Sequence, residues 1–204
     1  MNRKTVGIVD YGVGNQLSVL RAFQRSGAIC RVSCDLSILA AADILVLPGV
    51  GAFPVAMRAL HLLGLVSFLG EMAQQGKPLI GLCLGMQLLA DHSSEHGNTV
   101  GLGLIPGKVH KLPVVASHIG WNNVEAIQKD ALLAPLDGAS FYFNHSYIFD
   151  CEKTYSYLKS WVNETCFTVA VRRGNIVGLQ FHPEKSQIAG KQLLSSLVEN
   201  LGDA

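Results

Sequence analysis

The segment Leu79–Leu89, LIGLCLGMQLL, places one cysteine between two glycines, after an apolar run and before a helix-like pattern. KPLIGL (residues 77–82) predicts a buried strand, and LGMQLLADH (residues 84–92) predicts a helix. A strand that turns into a helix is the repeating unit of a parallel α/β sheet, so this segment indicates the fold class. Cys83 lies at the junction, either as a buried, inert thiol or as a nucleophile held at the tip of a sharp turn.

Similar alternation extends through the first half of the chain. Further strands are predicted over TVGIVD (5–10), ICRVS (29–33) and DILVLPG (43–49), and helices are predicted near 16–26 and across 54–75. Strands that alternate with helices in this way predict an α/β domain with a largely parallel central sheet.

The second half is richer in strands and predicts an antiparallel extension of that sheet. Strands are predicted over GKVHKL (107–112), NNVEAI (122–127), SFYFNHSYIF (140–149), CFTVAVR (166–172) and NIVGLQF (175–181). VRRGNIV predicts a hairpin that turns at Gly174 and Asn175, and a last helix is predicted over about 188–201. Because no repeat or linker interrupts the chain, we predict a single domain over residues 1–204.

Composition excludes several classes of function. Of the 204 residues 49% are hydrophobic and 15% are charged, and the net charge of +1 offers no basic surface to nucleic acid or to a membrane. Asp10 interrupts the first apolar run too early for a signal peptide, and stretches such as 62–70 are too short to span a membrane. The five cysteines include no CxxC pair, which predicts reduced thiols in the cytoplasm.

The glycine-bracketed Cys83 has the surroundings of a nucleophile elbow. A thiol at the N-terminus of a helix is favoured as the thiolate by the helix dipole and the free N–H groups. The N–H of Leu84, directly after the cysteine, would face an oxyanion that develops on a substrate carbonyl. Most free cysteines are buried and inert, so the interpretation as a nucleophile requires a base elsewhere in the chain.

GLQFHPEKS supplies a candidate base. His182 and Glu184 lie at the end of a predicted strand, where residues two apart point to the same side. Pro183 disfavours the helical region for His182, and Glu184 could then orient the imidazole while His182 takes the thiol proton. A second oxyanion donor is expected in LPGVGAF, where Gly49 and Gly51 leave the backbone N–H groups accessible.

Two other motifs are weaker. HSSEH, residues 92–96, matches a zinc-peptidase pattern that needs both histidines on one helix face, but Gly97 and Asn98 indicate a fraying helix end. GVGN, residues 12–15, begins like a dinucleotide fingerprint but has Leu17 where the third glycine belongs. Neither motif leads us to expect a metal or a cofactor.

Seven motifs together resemble the class I glutamine amidotransferases, and more narrowly the glutaminase subunits of imidazole glycerol phosphate synthase. They are YGVGN, PGVGAF, GLCLGMQLL, GLGLIPG, GWN, NHSY and QFHPEKS, in that order. The similarity runs from about Val6 to Val198. It implies a three-layer, flavodoxin-like α/β fold and hydrolysis of glutamine to glutamate and ammonia through a γ-glutamyl thioester.

The resemblance also implies a role for each matched residue. Cys83 is the nucleophile, His182 the general base and acid, and Glu184 the residue that orients it. The remaining matches are Gly51 and Leu84 in the oxyanion hole, Gln87 and Glu95 at the substrate α-amino group, and Ser146 and Tyr147 at its α-carboxylate. Asn15, Trp121 and Lys185 would contact a (β/α)₈-barrel synthase subunit, which receives the ammonia within a heterodimer.

Two departures leave the acceptor open. Ser117 occupies a position that is commonly proline in this family, and Asn144 one that is usually apolar. Alternative interpretations are the same glutaminase with another acceptor enzyme, for example in amidation of a bacterial surface sugar, a non-catalytic scaffold of the same fold, or a peptidase with the same elbow.

Overall fold

The computed structural model describes residues 3–202, so the ends of the predicted 1–204 domain lie outside the described residues. The strands are β1 (Thr5–Val9), β2 (Ile29–Ser33), β3 (Ile44–Leu47), β4 (Leu79–Leu82), β5 (His92–Ser93), β6 (Thr99–Val100), β7 (Gly107–Lys111), β8 (His118–Asn123), β9 (Glu125–Ala126), β10 (Ser140–His145), β11 (Tyr147–Cys151), β12 (Ser156–Val162), β13 (Thr165–Arg173) and β14 (Ile176–Leu179). The helices are α1 (Gln16–Arg25), α2 (Leu36–Ala40), α3 (Phe53–Leu62), α4 (Leu65–Gln74), α5 (Leu84–Leu88) and α6 (Gln187–Asn200), with 3₁₀ turns at Ala134–Leu136, Lys153–Tyr155 and Pro183–Lys185.

A central sheet of eight strands has the order β2-β1-β3-β4-β14-β13-β12-β9. The pairs from β2 to β14 are parallel, whereas β13, β12 and β9 continue the sheet in antiparallel pairs. The predicted α/β class, with a parallel centre and an antiparallel C-terminal part, is confirmed. Two smaller sheets have the strand orders β10-β8 and β11-β7-β5-β6. Their strand pairs are antiparallel except for β5 with β7, which is parallel.

The core lies on both faces of the central sheet, which makes the fold three-layered. Ile44 and Val46 of β3 point into a cluster that α1 and α6 cover, while Leu45 and Leu47 point into a second cluster covered by α3, α4 and α5. Successive residues of a strand point to opposite faces, so a strand buried on both faces has an unbroken apolar sequence. The ILVL of β3 has this pattern.

The register between β4 and β14 brings the two halves of the predicted site together. Leu82 pairs with Leu179, and the N–H of Cys83 donates to the carbonyl oxygen of Leu179 at 2.8 Å. Cys83 and His182 therefore both lie just beyond the carboxyl ends of adjacent parallel strands. Ligands of open α/β sheets bind at this edge.

The helix after Cys83 is shorter than predicted. It ends at Leu88, and His92 and Ser93 instead form β5, which pairs with β7. The N–H of Leu102 donates to the Leu88 carbonyl at 2.9 Å, and the N–H groups of residues 103–105 bind the next two carbonyls. The helix end is thus satisfied by a distant loop, and the prediction of a helix to residue 92 is wrong.

The segment SFYFNHSYIF, predicted as one strand, forms two. The chain passes at Ser146 from β10 in one small sheet to β11 in the other. The hairpin is confirmed: Arg173 pairs with Ile176 around Gly174, whose φ is +56°. NNVEAI contains the end of β8 and all of β9, and β12 was not predicted.

Helices α3 and α4 follow each other closely in the chain, and their axes are bent by 87° at the break formed by Leu63 and Gly64. Within residues 3–202 no single helix has the length and apolar character needed to cross a membrane; only this bent pair meets that test, by length and composition.

Candidate active site

The turn between β4 and α5 holds Cys83 in a strained conformation. Its φ is 54° and its ψ is −109°, a combination that L-residues rarely adopt. Such backbone strain costs about 1–3 kcal/mol and persists where the surrounding structure enforces it, commonly at functional sites. The predicted sharp turn at the cysteine is confirmed, and it places the thiol at the N-terminus of α5.

The two glycines that flank Cys83 are required because neighbouring backbone leaves no space for a side chain, not because of their φ angles. Neither Gly81 nor Gly85 has a positive φ; the strained φ is that of Cys83 itself. A Cβ on Gly81 would lie 2.6 Å from the carbonyl oxygen of Gly85, and one on Gly85 would lie 1.8 Å from that of Leu47. The glycines therefore let the first turn of α5 pack directly on the backbone of β3 and β4.

This close approach predicts a large loss of stability for Gly85→Ala. Overpacking costs about 1–3 kcal/mol when side chains can move aside, and here the obstacle is backbone, so we expect a loss of at least about 3 kcal/mol. Gly70→Ala is the control, because Gly70 lies inside α4 with nothing within 4 Å of its would-be Cβ. Gly70→Ala should raise the free energy of unfolding by about 0.5–1 kcal/mol, because alanine has a higher helix propensity than glycine. Urea unfolding of the two variants distinguishes these outcomes, and equal stability would contradict the packing argument.

His182 and Glu184 form a buried pair. His182 Nδ1 lies 2.8 Å from Glu184 Oε1, and both side chains are only 4% exposed. The predicted pairing is confirmed, but its backbone differs from the expectation: His182 is extended, whereas Glu184 lies in the 3₁₀ turn Pro183–Lys185. The turn brings the carboxylate back under the imidazole ring, so the pair does not depend on an extended chain.

The environment of His182 favours the imidazolium. Burial lowers its pKa, but hydrogen bonds with Cys83 and Glu184 and the charges of the same two groups outweigh burial and raise the pKa to about 9. The imidazole therefore lies between the Cys83 sulfur on one side and the Glu184 side chain on the other. This arrangement can take a proton from a thiol and return it to a leaving group.

A pocket of about 260 Å³ opens beside Cys83. All the predicted oxyanion and substrate residues line it, namely Gly51, Leu84, Gln87, Glu95, Ser146 and Tyr147. Gly51 has a φ of +101°, a conformation that favours glycine, and nothing lies within 4 Å of its would-be Cβ. The volume of the pocket suits a ligand the size of a free amino acid.

Glu95 is fixed at one end of this pocket. Its Oε2 accepts a hydrogen bond from the N–H of Phe53 at 2.7 Å, and only 8% of the residue is exposed. Phe53 is the first residue of α3, so the carboxylate also lies at a helix N-terminus, where negative charge is stabilised. A carboxylate held there can accept hydrogen bonds from a ligand ammonium group.

Gln180 is a site residue that the sequence interpretation missed. Gln87 Nε2 donates to Gln180 Oε1 at 3.0 Å, and Gln180 Nε2 lies 3.8 Å from Cys83 Sγ. The amide of Gln180, which is fully buried, is therefore aimed at the sulfur. Its position two residues before His182 was the available signal, since residues two apart in a strand share a face.

The three predicted interface residues lie on one side of the His182–Glu184 pair. Lys185 Nζ is 5.5 Å from the ring centroid of Tyr142. The ring centroids of Trp121 and Tyr142 are 6.3 Å apart. Asn15 caps α1 and shares a cavity of about 20 Å³ with Lys185, His182 and Glu184. Trp121 is 50% exposed, which leaves a large aromatic surface open to a partner.

HSSEH does not form the helix face that a zinc-peptidase site requires. His92 lies in β5, and His96 has a φ of 54°, so the segment is a strand followed by a turn. The interpretation of this segment as a fraying helix end is therefore wrong. Among the described residues 3–202 no group of three or more potential ligands is placed to hold a metal ion.

Known proteins share both the sequence and the fold. The sequence profile of the glutamine amidotransferase class-I family matches residues 7–199. The chain is 43% identical to the "Imidazole glycerol phosphate synthase subunit HisH" of Streptococcus gordonii, over 94% of each chain. It is 41% identical to the protein of the same name from Moorella thermoacetica, over 98% of this chain and 99% of the relative.

Solved structures agree at the level of fold. A chain of PurLQS from Thermotoga maritima superposes with a TM-score of 0.78 at 17% identity, over 98% of this chain and all of that one. A crystal structure described as glutamine amidotransferase superposes with a TM-score of 0.72 at 20% identity, over 95% and 98% of the two chains. With an elbow cysteine and a matched family profile over nearly its whole length, this chain belongs to the class I glutamine amidotransferase family.

Proposed function

We propose that this chain is the glutaminase subunit of an imidazole glycerol phosphate synthase. It hydrolyses glutamine in the cytoplasm and passes ammonia to a (β/α)₈-barrel synthase subunit, its partner in a heterodimer of histidine biosynthesis. The observation that carries the proposal is the strained Cys83 beside a buried His182–Glu184 pair, at the mouth of a pocket the size of an amino acid. The names of relatives at 41–43% identity support the choice of synthase.

The geometry supports acyl transfer through a thioester. The Cys83 thiolate attacks the side-chain amide carbon of glutamine, and the oxyanion is stabilised by the N–H groups of Leu84 and Gly51. The His182 imidazolium donates its proton to the departing nitrogen, which leaves as ammonia. Water then attacks the γ-glutamyl thioester, His182 takes its proton, and the thiolate and glutamate are regenerated. Glu184 stabilises the imidazolium throughout.

Glutamine would lie with its side-chain amide at Cys83 and with its two charged groups, both on the α-carbon, near Glu95 and the Ser146–Tyr147 segment. Glu95 and Gln87 accept the α-ammonium end, while the Ser146–Tyr147 segment receives the α-carboxylate. A carboxylate built to bind a free α-ammonium group disfavours a peptide-bond nitrogen, which carries no charge. The pocket therefore favours the free amino acid over a peptide substrate.

The departures at Ser117 and Asn144 do not disturb this chemistry. Both residues are exposed, and Asn144 approaches Cys83 with its carbonyl oxygen, 3.8 Å from the sulfur, which any residue at that position can provide. Asn144 lines the pocket, but neither residue belongs to the triad, so a non-catalytic scaffold is not favoured.

The function predicts that the isolated subunit is a poor glutaminase that its partner activates. Ammonia released without an acceptor is wasted, and a flip of the peptide at Gly51, where glycine makes both orientations accessible, would present or withdraw one oxyanion donor. Losing one such donor costs roughly 10²–10³ in kcat, so we expect the barrel subunit with its acceptor ligand to raise kcat by that order and to change KM little.

Steady-state kinetics with and without the partner test this expectation, with imidazole glycerol phosphate formation from glutamine as the second readout. Lys185→Ala should reduce the stimulation and leave the basal rate unchanged. Full activity of the subunit alone would refute this coupling and favour a simple glutamine hydrolase. Stimulation without synthesis of product would rule out this partner.

A further inference from the structure

Two buried histidines lie side by side at the glutamine pocket; His145 lines it, and His118 lies behind His145. His118 opens β8 and His145 closes β10, and the two residues are cross-strand partners with His118 Nδ1 3.0 Å from His145 Nε2. The rings pack among Phe143 and Phe167, at centroid distances of 4.8 and 5.5 Å. Burial lowers the pKa of both imidazoles, that of His145 to about 4, so both are neutral near pH 7.

Asn122 sets the direction of the hydrogen bonds that these rings make. Its Oδ1 accepts from the N–H of Asn123 at 2.8 Å, and its Nδ2 donates to the carbonyl oxygen of Trp161 at 2.7 Å. Turning the amide by 180° would break both bonds, so its orientation is fixed. The same Nδ2 lies 3.3 Å from His118 Nε2, which must therefore be the unprotonated nitrogen of that ring.

The orientation of Asn122 determines the tautomer of each histidine in turn. A neutral imidazole carries one N–H, so His118 carries it on Nδ1 and donates to His145 Nε2. His145 then carries its own on Nδ1 and donates to the carbonyl oxygen of Tyr147 at 3.0 Å. Both rings are thus held in the Nδ1–H form, the minor tautomer of a free histidine side chain.

This relay, Asn122–His118–His145, ends on the wall of the pocket. The Tyr147 carbonyl also accepts from Gln87 Nε2 at 3.0 Å, so both of its lone pairs are used. The preceding peptide is held from the other side, since the N–H of Leu112 donates to the Ser146 carbonyl at 2.9 Å. Gln87 also donates to Gln180, whose amide faces Cys83 Sγ. Fixing the Tyr147 carbonyl therefore orders the side-chain amides of Gln87 and Gln180 as well.

We propose that His118, held in one tautomer by Asn122, is a positioning residue for substrate glutamine: through His145 it fixes the Tyr147 carbonyl and with it the Ser146–Tyr147 wall of the pocket. The proposal rests on the proposed function, because it assigns His118 to glutamine binding. His118 does not line the pocket and contacts no reacting atom, so its effect is on affinity.

The kinetic test compares two substitutions in the complex with the synthase partner. His118→Phe keeps an aromatic ring of similar size but removes the donor to His145 Nε2. We expect KM for glutamine to rise about tenfold, the equivalent of one lost hydrogen bond, with kcat nearly unchanged because the triad is untouched. His118→Asn places an amide N–H near the position of Nδ1–H and should restore most of the affinity.

A packing control separates positioning from general loosening of the core. Phe167→Leu removes aromatic contacts with both histidines and changes no hydrogen bond of the relay. It should lower Tm and leave KM for glutamine unchanged. A KM that rises equally in this variant, or one that stays unchanged in His118→Phe, would overturn the proposal.

The tautomers are tested directly in the unaltered protein, so this measurement does not depend on whether the variants fold. ¹⁵N NMR of the imidazole nitrogens should show the proton on Nδ1 of both His118 and His145 near pH 7. A proton on Nε2 of either ring would also overturn the proposal. If the wild-type complex hydrolyses no glutamine, the proposed function fails instead, and the tautomers remain measurable.

Discussion

Cys83→Ala is expected to fold normally and to lose glutamine hydrolysis almost completely, with kcat lowered by about 10⁶, the loss found for the nucleophile of a comparable triad in subtilisin. No other side chain in the pocket can form the thioester. Measurement of glutamate release by the partner-bound complex checks this, and retention of even a tenth of the wild-type rate would remove Cys83 from the mechanism.

Strain at the elbow supplies a control for folding. Alanine keeps the unfavourable φ of 54° at this position, whereas glycine adopts such angles without penalty. Cys83→Gly should therefore be inactive but have a higher Tm than Cys83→Ala. Equal Tm values would show that the turn is not strained.

Chemical labelling distinguishes Cys83 from the other thiols. Burial is the main cause that raises the pKa of Cys30 and of Cys151 to about 11, so both are protonated near pH 7 and poor nucleophiles. A glutamine-like electrophile should modify Cys83 alone, since the pocket selects the reagent. Mass spectrometry of the labelled peptides reports the modified residue.

Glu184→Gln is expected to lower kcat by about 3 × 10⁴, less than loss of the nucleophile, because the orienting acid only positions and stabilises the imidazolium. Glutamine binding should remain nearly intact, since Glu184 does not line the pocket beside Cys83. A variant with reduced glutamine affinity and unchanged kcat would instead identify Glu184 as a binding residue.

The pH profile tests the same interaction by its sign. The pKa of His182 is raised to about 9, so the imidazolium is present below that pH and is lost above it. Wild-type kcat/KM should accordingly fall on an alkaline limb near pH 9. In Glu184→Gln one of the groups that raise this pKa is gone, so the limb should move to lower pH. An unmoved limb would mean that the carboxylate does not stabilise the charged ring.

Much of the site was predictable because its parts are local in sequence. The elbow requires only the residues around Cys83, and the His182–Glu184 pair requires one short turn. Their meeting depends on the parallel pairing of β4 with β14, which the alternation of strands and helices did not predict, because NIVGLQF was assigned to the antiparallel half. The relay was not predictable in this way, since His118 and His145 are 27 residues apart and their pairing depends on strand register.

Strand β12, SYLKSWV, shows why hydrophobic patterning failed elsewhere. Its inward positions include Ser156 and Ser160, which are buried with hydrogen bonds to Thr168 Oγ1 and to the Asn123 carbonyl. Its outward positions include Trp161, which is 50% exposed. The apolar and polar faces are thus partly exchanged, and a periodicity argument that expects buried apolar residues finds no strand there.

The two-stranded ribbon of β8 and β10 has a consequence for how this protein can diverge. Side chains alternate across β8, so His118 and Asn122 point inward while Ile119 and Trp121, 63% and 50% exposed, point outward. Substitutions on the outer face can change the choice of partner without altering the pocket. A deletion of one residue within β8 would reverse the alternation beyond that point, so that inward-pointing residues would point outward. In this segment evolution can therefore vary residue identity far more freely than length.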